Sequence, residues 1–129
     1  RMGMTENVLF PGFIRADDLP AVYSAAVVFL FPSLYEGFGL PPLEAMACGT
    51  PCVVSNSSSL PEVMGSAALL FNPTSLDSFE ECVLRLLTDP VLYEELKQQG
   101  TRQSALFSWD RAAEETLQVY RDVLAERAR

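Results

Sequence analysis

An α/β fold, a parallel sheet with flanking crossover helices, is the class this sequence predicts, and three observations predict it. Three continuous apolar runs, Val27 to Phe31, Pro51 to Val54 and Ala68 to Phe71, have strand length and the unbroken apolarity of strands covered on both faces. Short helical text separates them. After Asn72-Pro73 only helical spacing is found. Strand, helix, strand, helix at these intervals implies parallel pairing with right-handed crossovers.

Taken in order, Val8-Leu9-Phe10 reads as a short strand ended by Pro11-Gly12. Asp17-Asp18 caps a short helix carrying Leu19, Val22, Tyr23 and Ala26, which leads into the run Val27 to Phe31. A helix from about Pro42 to Cys48 joins that run to the next, and another near Leu60 to Met64 joins the next to the last. Leu76, Phe79, Val83, Leu86 and Leu87 make an apolar stripe at helical spacing. Asp89-Pro90 ends that helix and starts another, which runs to Gly100 or slightly beyond. Ser108 caps a last helix to about Ala125, whose stripe is Trp109, Ala113, Leu117, Tyr120 and Leu124, a core or docking face.

The 129 residues fit one domain, residues 1–129, and at 49% apolar and 10% aromatic they can bury a sizeable core. Nine basic residues against seventeen acidic ones give a net charge of -8. That sign repels polyanions and argues against nucleic acid as a partner. The chain has no histidine, hence neither the commonest general base nor the commonest transition-metal ligand. Cys48, Cys52 and Cys82 form neither a CxxC pair nor an even set, so buried reduced thiols in a reducing, cytoplasmic setting are expected. No apolar run approaches the roughly 18 residues of a membrane span. The first residues carry no signal-peptide pattern and read as a cut within a longer protein.

Chemistry concentrates in Pro32-Ser33-Leu34-Tyr35-Glu36-Gly37-Phe38-Gly39-Leu40-Pro41-Pro42-Leu43-Glu44, between the end of a buried strand and a helix. In open parallel sheets that carboxyl edge is where ligands bind. Gly37 and Gly39 let the backbone turn sharply and bring its N–H groups close to a ligand. Pro41 or Pro42 at the first helical position gives up no needed donor. The free N–H groups and the helix dipole favour an anion such as a diphosphate. Two readings fit the pair Glu36 and Glu44. Carboxylates accept the hydroxyl donors of a sugar; equally, Glu44 can complement the helix dipole while Glu36 is a loop charge.

The stretch Phe31 to Val54, with Glu36 and Glu44 separated by seven residues, resembles the signature of retaining GT-B glycosyltransferases, the group that includes glycogen and sucrose synthases. Asn7-Val8-Leu9-Phe10-Pro11-Gly12-Phe13, Leu60-Pro61-Glu62-Val63 and Phe107-Ser108-Trp109 are similar to the flanking elements of that family. The resemblance implies a Rossmann-like sheet forming part of the C-terminal, donor-binding lobe of a GT-B fold. It implies that Glu36 contacts the donor-sugar hydroxyls as the catalytic-site carboxylate, without being assigned as a nucleophile. It implies that Glu44 holds the ribose hydroxyls and that the N–H groups of Gly37, Phe38, Gly39 and Leu40 hold the diphosphate and sugar. Ile14, in the turn Gly12-Phe13-Ile14, is placed near the base. The substrate implied is a nucleotide sugar, with no metal and no other cofactor. The missing N-terminal lobe would carry the acceptor, and the isolated fragment is expected to be inactive.

Two departures from the family pattern matter. The Arg and Lys that neutralise the diphosphate precede the strand at Val8 in the family, and that text is absent here. Position 11 is Pro where Leu is common, which weakens pairing at that strand end. The family order 3-2-1-4-5-6 also implies a gap about two strands wide, about 10 Å, between Val8–Phe10 and Val27–Phe31. Collapse of the one strand onto the other, or a homodimer in which two copies fill each other's gap, is the expected response. Three functions follow in order: a glycosyltransferase fragment, a non-catalytic nucleotide- or sugar-binding module, and an assembly domain.

Overall fold

The computed structural model describes residues 3–127. Three parallel strands, β1 (Phe29–Phe31), β2 (Cys52–Ser55) and β3 (Ala68–Phe71), lie in the order β1-β2-β3. Phe29 is in register with Cys52 and Cys52 with Ala68. Helices α1 (Leu19–Ala25), α2 (Leu40–Ala47) and α3 (Leu60–Met64) precede or connect the strands, and α4 (Leu76–Thr88), α5 (Pro90–Ser104) and α6 (Trp109–Arg127) follow.

β2 is central, and all four of its residues are buried, as its β-branched, apolar text demands. Its side chains alternate between two cores. Cys52 and Val54 face Met46, Leu60 and Met64 from α2 and α3, while Val53 faces Phe71, Leu86 and Leu96. α5 begins against the second core and ends against α2. There Gly100 lies so near Met46 that an added Cβ would sit 3.1 Å from its Cγ. Tyr93 of α5 also donates a hydrogen bond to the Val27 carbonyl oxygen at 3.0 Å.

The caps show why the helices start where they do. Asp89 Oδ1 accepts from the N–H groups of Val91 and Leu92 at 3.0 Å each, and Pro90 occupies the first helical position of α5 without a donor to lose. Ser75 Oγ accepts from Ser78 N–H at the start of α4, and Ser108 Oγ from Arg111 N–H before α6.

Four expectations need correction. Residues 8–10 form no strand: they are exposed, lie beside no other strand, and follow a 3-10 turn at Thr5–Asn7. A strand exists only through a partner's hydrogen bonds; β1 pairs with β2 alone and residues 8–10 pair with neither, so the expected collapse of this segment onto β1 does not occur. β1 is three residues long and half-buried at an edge; Val27 is exposed outside it. Asp18 makes no side-chain cap, a 3-10 turn at Ala16–Asp18 starting α1 instead. Finally, α4 turns Phe79, Cys82, Val83 and Leu86 inward and leaves Leu76 and Leu87 exposed, while every residue of α6 is exposed.

Candidate functional site

The loop from β1 to α2 occupies the carboxyl edge of the sheet, residues 32–39. Gly39 is the N-cap of α2 with φ 102° and ψ 51°, a left-handed conformation that L side chains rarely adopt. Packing demands glycine a second time, because a Cβ at this position would stand 2.6 Å from Leu60 Cδ2. Leu40, not a proline, takes the first helical position, with Pro41 and Pro42 second and third. Of the first three helical residues only Leu40 therefore has an N–H. Among the described residues the N–H groups of Gly37, Phe38, Gly39 and Leu40 meet no acceptor. Four consecutive amides at a helix N-terminus are a ready site for an anion, and the loop supplies three of them.

Glu36 precedes these amides and is half-buried. Its carboxylate Oε1 accepts from Ser33 Oγ at 2.8 Å. Its N–H donates to Ser58 Oγ at 2.9 Å, and its carbonyl oxygen accepts from Ser59 Oγ at 3.0 Å. Ser57 Oγ donates to the Ser33 carbonyl oxygen at 3.0 Å, and Ser55 Oγ to that of Phe31 at 3.2 Å. Hydroxyls from β2 and the loop after it thus stitch this segment along its length. Ser58 has φ 48°, the one non-glycine residue with positive φ among those described. Sequence reasoning missed these serines; the only local signal was the run Ser55-Asn56-Ser57-Ser58-Ser59 itself.

Glu44 is the fifth residue of α2, so it lies in the second turn and not the first. The dipole effect fades beyond the first turn, which weakens the reading of Glu44 as a dipole complement. Its side chain is exposed, and Oε2 accepts a hydrogen bond from the Tyr23 hydroxyl of α1 at 3.0 Å. Burial first, then this bond to the carboxylate, pushes the Tyr23 phenol up from 10.0 to about 12. Tyr23 stays a donor at neutral pH. Thr50 Oγ1 holds the Tyr23 carbonyl oxygen at 2.6 Å, and the Tyr23 ring meets Phe29 edge-on at 5.4 Å. Like those serines, Tyr23 gives no sequence signal for this contact, since its position reads only as part of a helical apolar stripe.

Phe38 packs edge-to-face on Phe107, ring centroids 5.6 Å apart, so the segment leading into α6 touches this loop. Ile14 is half-buried on the irregular segment before Ala16–Asp18 and makes no hydrogen bond to the loop among the described residues. Glu36, Gly37, Phe38, Gly39 and Leu40 follow one another through the loop into the first residue of α2, and Glu44 follows one turn later on the same helix. Burial pushes the Cys52 thiol up to about 12, and Cys48 and Cys82 are half-buried. Among the described residues no three His, Cys, Asp or Glu side chains converge in a way that could hold a metal ion. No helix among them is long and apolar enough to cross a membrane.

Comparison with known proteins places this edge in context. The chain is similar to the serotype-specific mannosyltransferase WbdA of Escherichia coli, 48% identical over 107 residues, covering 83% of this chain and 13% of that protein. Its fold is similar to that of the sucrose-phosphate synthase of Thermosynechococcus elongatus, with a TM-score of 0.84 and 36% identity, over 95% of this chain and 32% of that one. It is also similar to the C-terminal domain of a glycosyl transferase group 1 family protein from Francisella tularensis, with a TM-score of 0.70 and 28% identity, over 81% of this chain and 55% of that one. The parallel sheet with flanking helices is thus the Rossmann-like architecture of a GT-B C-terminal lobe. The chain spans less than a third of the length of the curated relatives it matches. The family described as glycosyl transferases group 1 matches residues 1–103, and the chain belongs to that family.

Proposed function

We propose that this chain is the donor-binding lobe of a retaining glycosyltransferase that moves a hexose from a nucleotide-diphosphate sugar to an acceptor. One observation carries the reading: four unfilled amides, Gly37 to Leu40, lie in sequence between two carboxylates, Glu36 and Glu44, at the entry to α2. The amides suit the diphosphate, and the carboxylates suit hydroxyls, Glu36 those of the sugar and Glu44 those of the ribose. The Tyr23 hydroxyl bond supports the second role, since it steadies one carboxylate oxygen and leaves the other for a ligand. In this reading amides replace a metal in neutralising the diphosphate, and Ile14 contributes only to the wall near the base. A second lobe supplies the acceptor, so the chain alone binds donor without transferring it. Three free thiols fit a cytoplasmic setting. The Escherichia coli relative is named a mannosyltransferase, which makes mannose the first sugar to try.

The test uses the full-length protein with a panel of nucleoside diphosphates and nucleotide sugars. Glu44→Ala is expected to weaken nucleoside-diphosphate binding about tenfold or more, because hydrogen bonds to a charged acceptor contribute roughly 1.5–3 kcal/mol. Glu36→Gln keeps the size and removes the charge. It is expected to cut kcat severely while nucleotide affinity changes little, the pattern of a contact stronger in the transition state. Wild-type affinity and turnover in both variants would reject the proposal. Donor binding by the wild type without transfer to any acceptor would favour a non-catalytic binding module.

A further inference from the structure

We propose that the serine run after β2 is a positioning clamp for Glu36, with Ser58 as its central member. The inference rests on the reading of Glu36 as the donor-sugar contact, and it assigns work to residues that the reading does not use. The two peptide groups flanking the Glu36 Cα are both held by hydroxyls: Ser58 Oγ accepts from the N–H at 2.9 Å and Ser59 Oγ donates to the carbonyl oxygen at 3.0 Å. Ser57 holds the carbonyl of Ser33, and Ser33 in turn donates to the Glu36 carboxylate at 2.8 Å. Backbone and side chain of one glutamate are thereby fixed from a loop about twenty residues away in sequence.

The backbone of Ser58 supplies an independent argument. Its φ of 48° lies in the region glycine occupies freely and serine does not. Glycine would remove that strain, yet it has no hydroxyl. Strain of this kind persists where the surroundings hold it, and such residues cluster at functional sites. At Ser58 the holding interaction is visible: its side chain is the acceptor for the Glu36 N–H. The clamp also sorts the amides. It takes up the N–H of Glu36 and stops there, so the unfilled series begins at Gly37. The carboxylate and the amides are thus set in a fixed relation before any ligand arrives. A misplacement of about 1 Å in such an arrangement lowers turnover by up to ~100-fold.

The two substitutions Ser58→Ala and Ser58→Gly separate hydroxyl from strain, because alanine keeps the strain and glycine relieves it. In the full-length protein, both are expected to speed hydrogen exchange at the Glu36 amide, read by residue-resolved mass spectrometry without donor. Both are expected to lower kcat about tenfold with donor KM changed less than about twofold, since each loses one hydrogen bond that orients the donor-sugar contact. Ser58→Gly is expected to keep or raise Tm, so a loss of kcat in that variant is not a loss of fold. Unchanged Glu36 exchange, or wild-type kcat in Ser58→Gly, overturns the clamp. A drop in kcat that follows Tm in Ser58→Ala and vanishes in Ser58→Gly also overturns it, since strain and not position would then be the cause. If the wild type transfers no sugar, the proposed function fails and the exchange measurement alone decides the clamp.

Discussion

Replacing Gly39 by alanine adds one methyl group at the point where the loop enters α2, and the structure allows its effect to be worked out in two parts. The first is conformational. At φ 102° an L residue stands in left-handed backbone, which costs roughly 1–2 kcal/mol. The second is steric. The new Cβ would lie 2.6 Å from Leu60 Cδ2, so one of them must retreat by about 1 Å to reach ordinary contact. Leu60 has no exposed surface and is packed among Met46, Val54 and Met64, so its retreat overpacks the core at a cost of about 1–3 kcal/mol. Together the two terms come to about 2–5 kcal/mol, a large share of the roughly 5–15 kcal/mol that stabilises a typical domain. At this chain length a loss of 3 kcal/mol lowers Tm by about 10 °C. Thermal and urea unfolding followed by circular dichroism measure it. Gly37→Ala is the control, since a Cβ there meets nothing within 4 Å and the residue is not left-handed. It is expected to stay within about 1 kcal/mol of wild type. A Gly39→Ala protein that unfolds within 1 kcal/mol of wild type would refute the argument, and so would equal losses from the two substitutions.

Two further predictions concern titration. Tyr23 is expected to ionise at about pH 12 instead of 10, read as the difference in tyrosinate absorbance between wild type and Tyr23→Phe. Its folded pKa is raised, so the stability it contributes is fully present below pH 10 and is lost as pH climbs to about 12; a transition near pH 10 would show that neither burial nor Glu44 acts on it. Cys52, buried with its thiol pushed up to about 12, is expected to resist alkylation in the folded chain while Cys48 and Cys82 react first. Mass spectrometry of the alkylated protein checks the order, and labelling of Cys52 at the rate of Cys48 contradicts it.

How much of this was legible in the sequence follows from how local each signal is. The bounds of β3 and α3 are those read from the residues, because Asn72-Pro73 and Gly65 punctuate them within one or two positions. The start of α5 was equally plain, since Asp89 and Pro90 carry cap and first position together. The edge position of β1 was legible only through the resemblance, which implies a gap beside it, and not from the residues of the strand. Val27 to Phe31 is apolar throughout, and composition cannot tell a strand flanked on both sides from one whose second neighbour is absent. The left-handed Ser58 leaves no trace in a run of similar residues, and its bond to Glu36 spans 22 positions. The Tyr23–Glu44 bond spans 21. Such pairs arise only when the sheet brings two loops or two helices to the same edge. Glu36 and Glu44 were found through family resemblance, not through spacing, which fitted a charge beside a dipole equally well.

α6 is best understood as a lever. Its 19 residues span about 28 Å, all are exposed, and the residue two positions before its first is packed on the loop. That residue is Phe107, whose ring meets Phe38 in the middle of the unfilled amides. A tilt of about 10° around that anchor carries the far end of the helix through about 5 Å but moves the ring contact by only a fraction of that. By this geometry a displacement of several ångströms at the distal end corresponds to a small one at the ring contact with Phe38, within the range over which hydrogen bonds are made or lost.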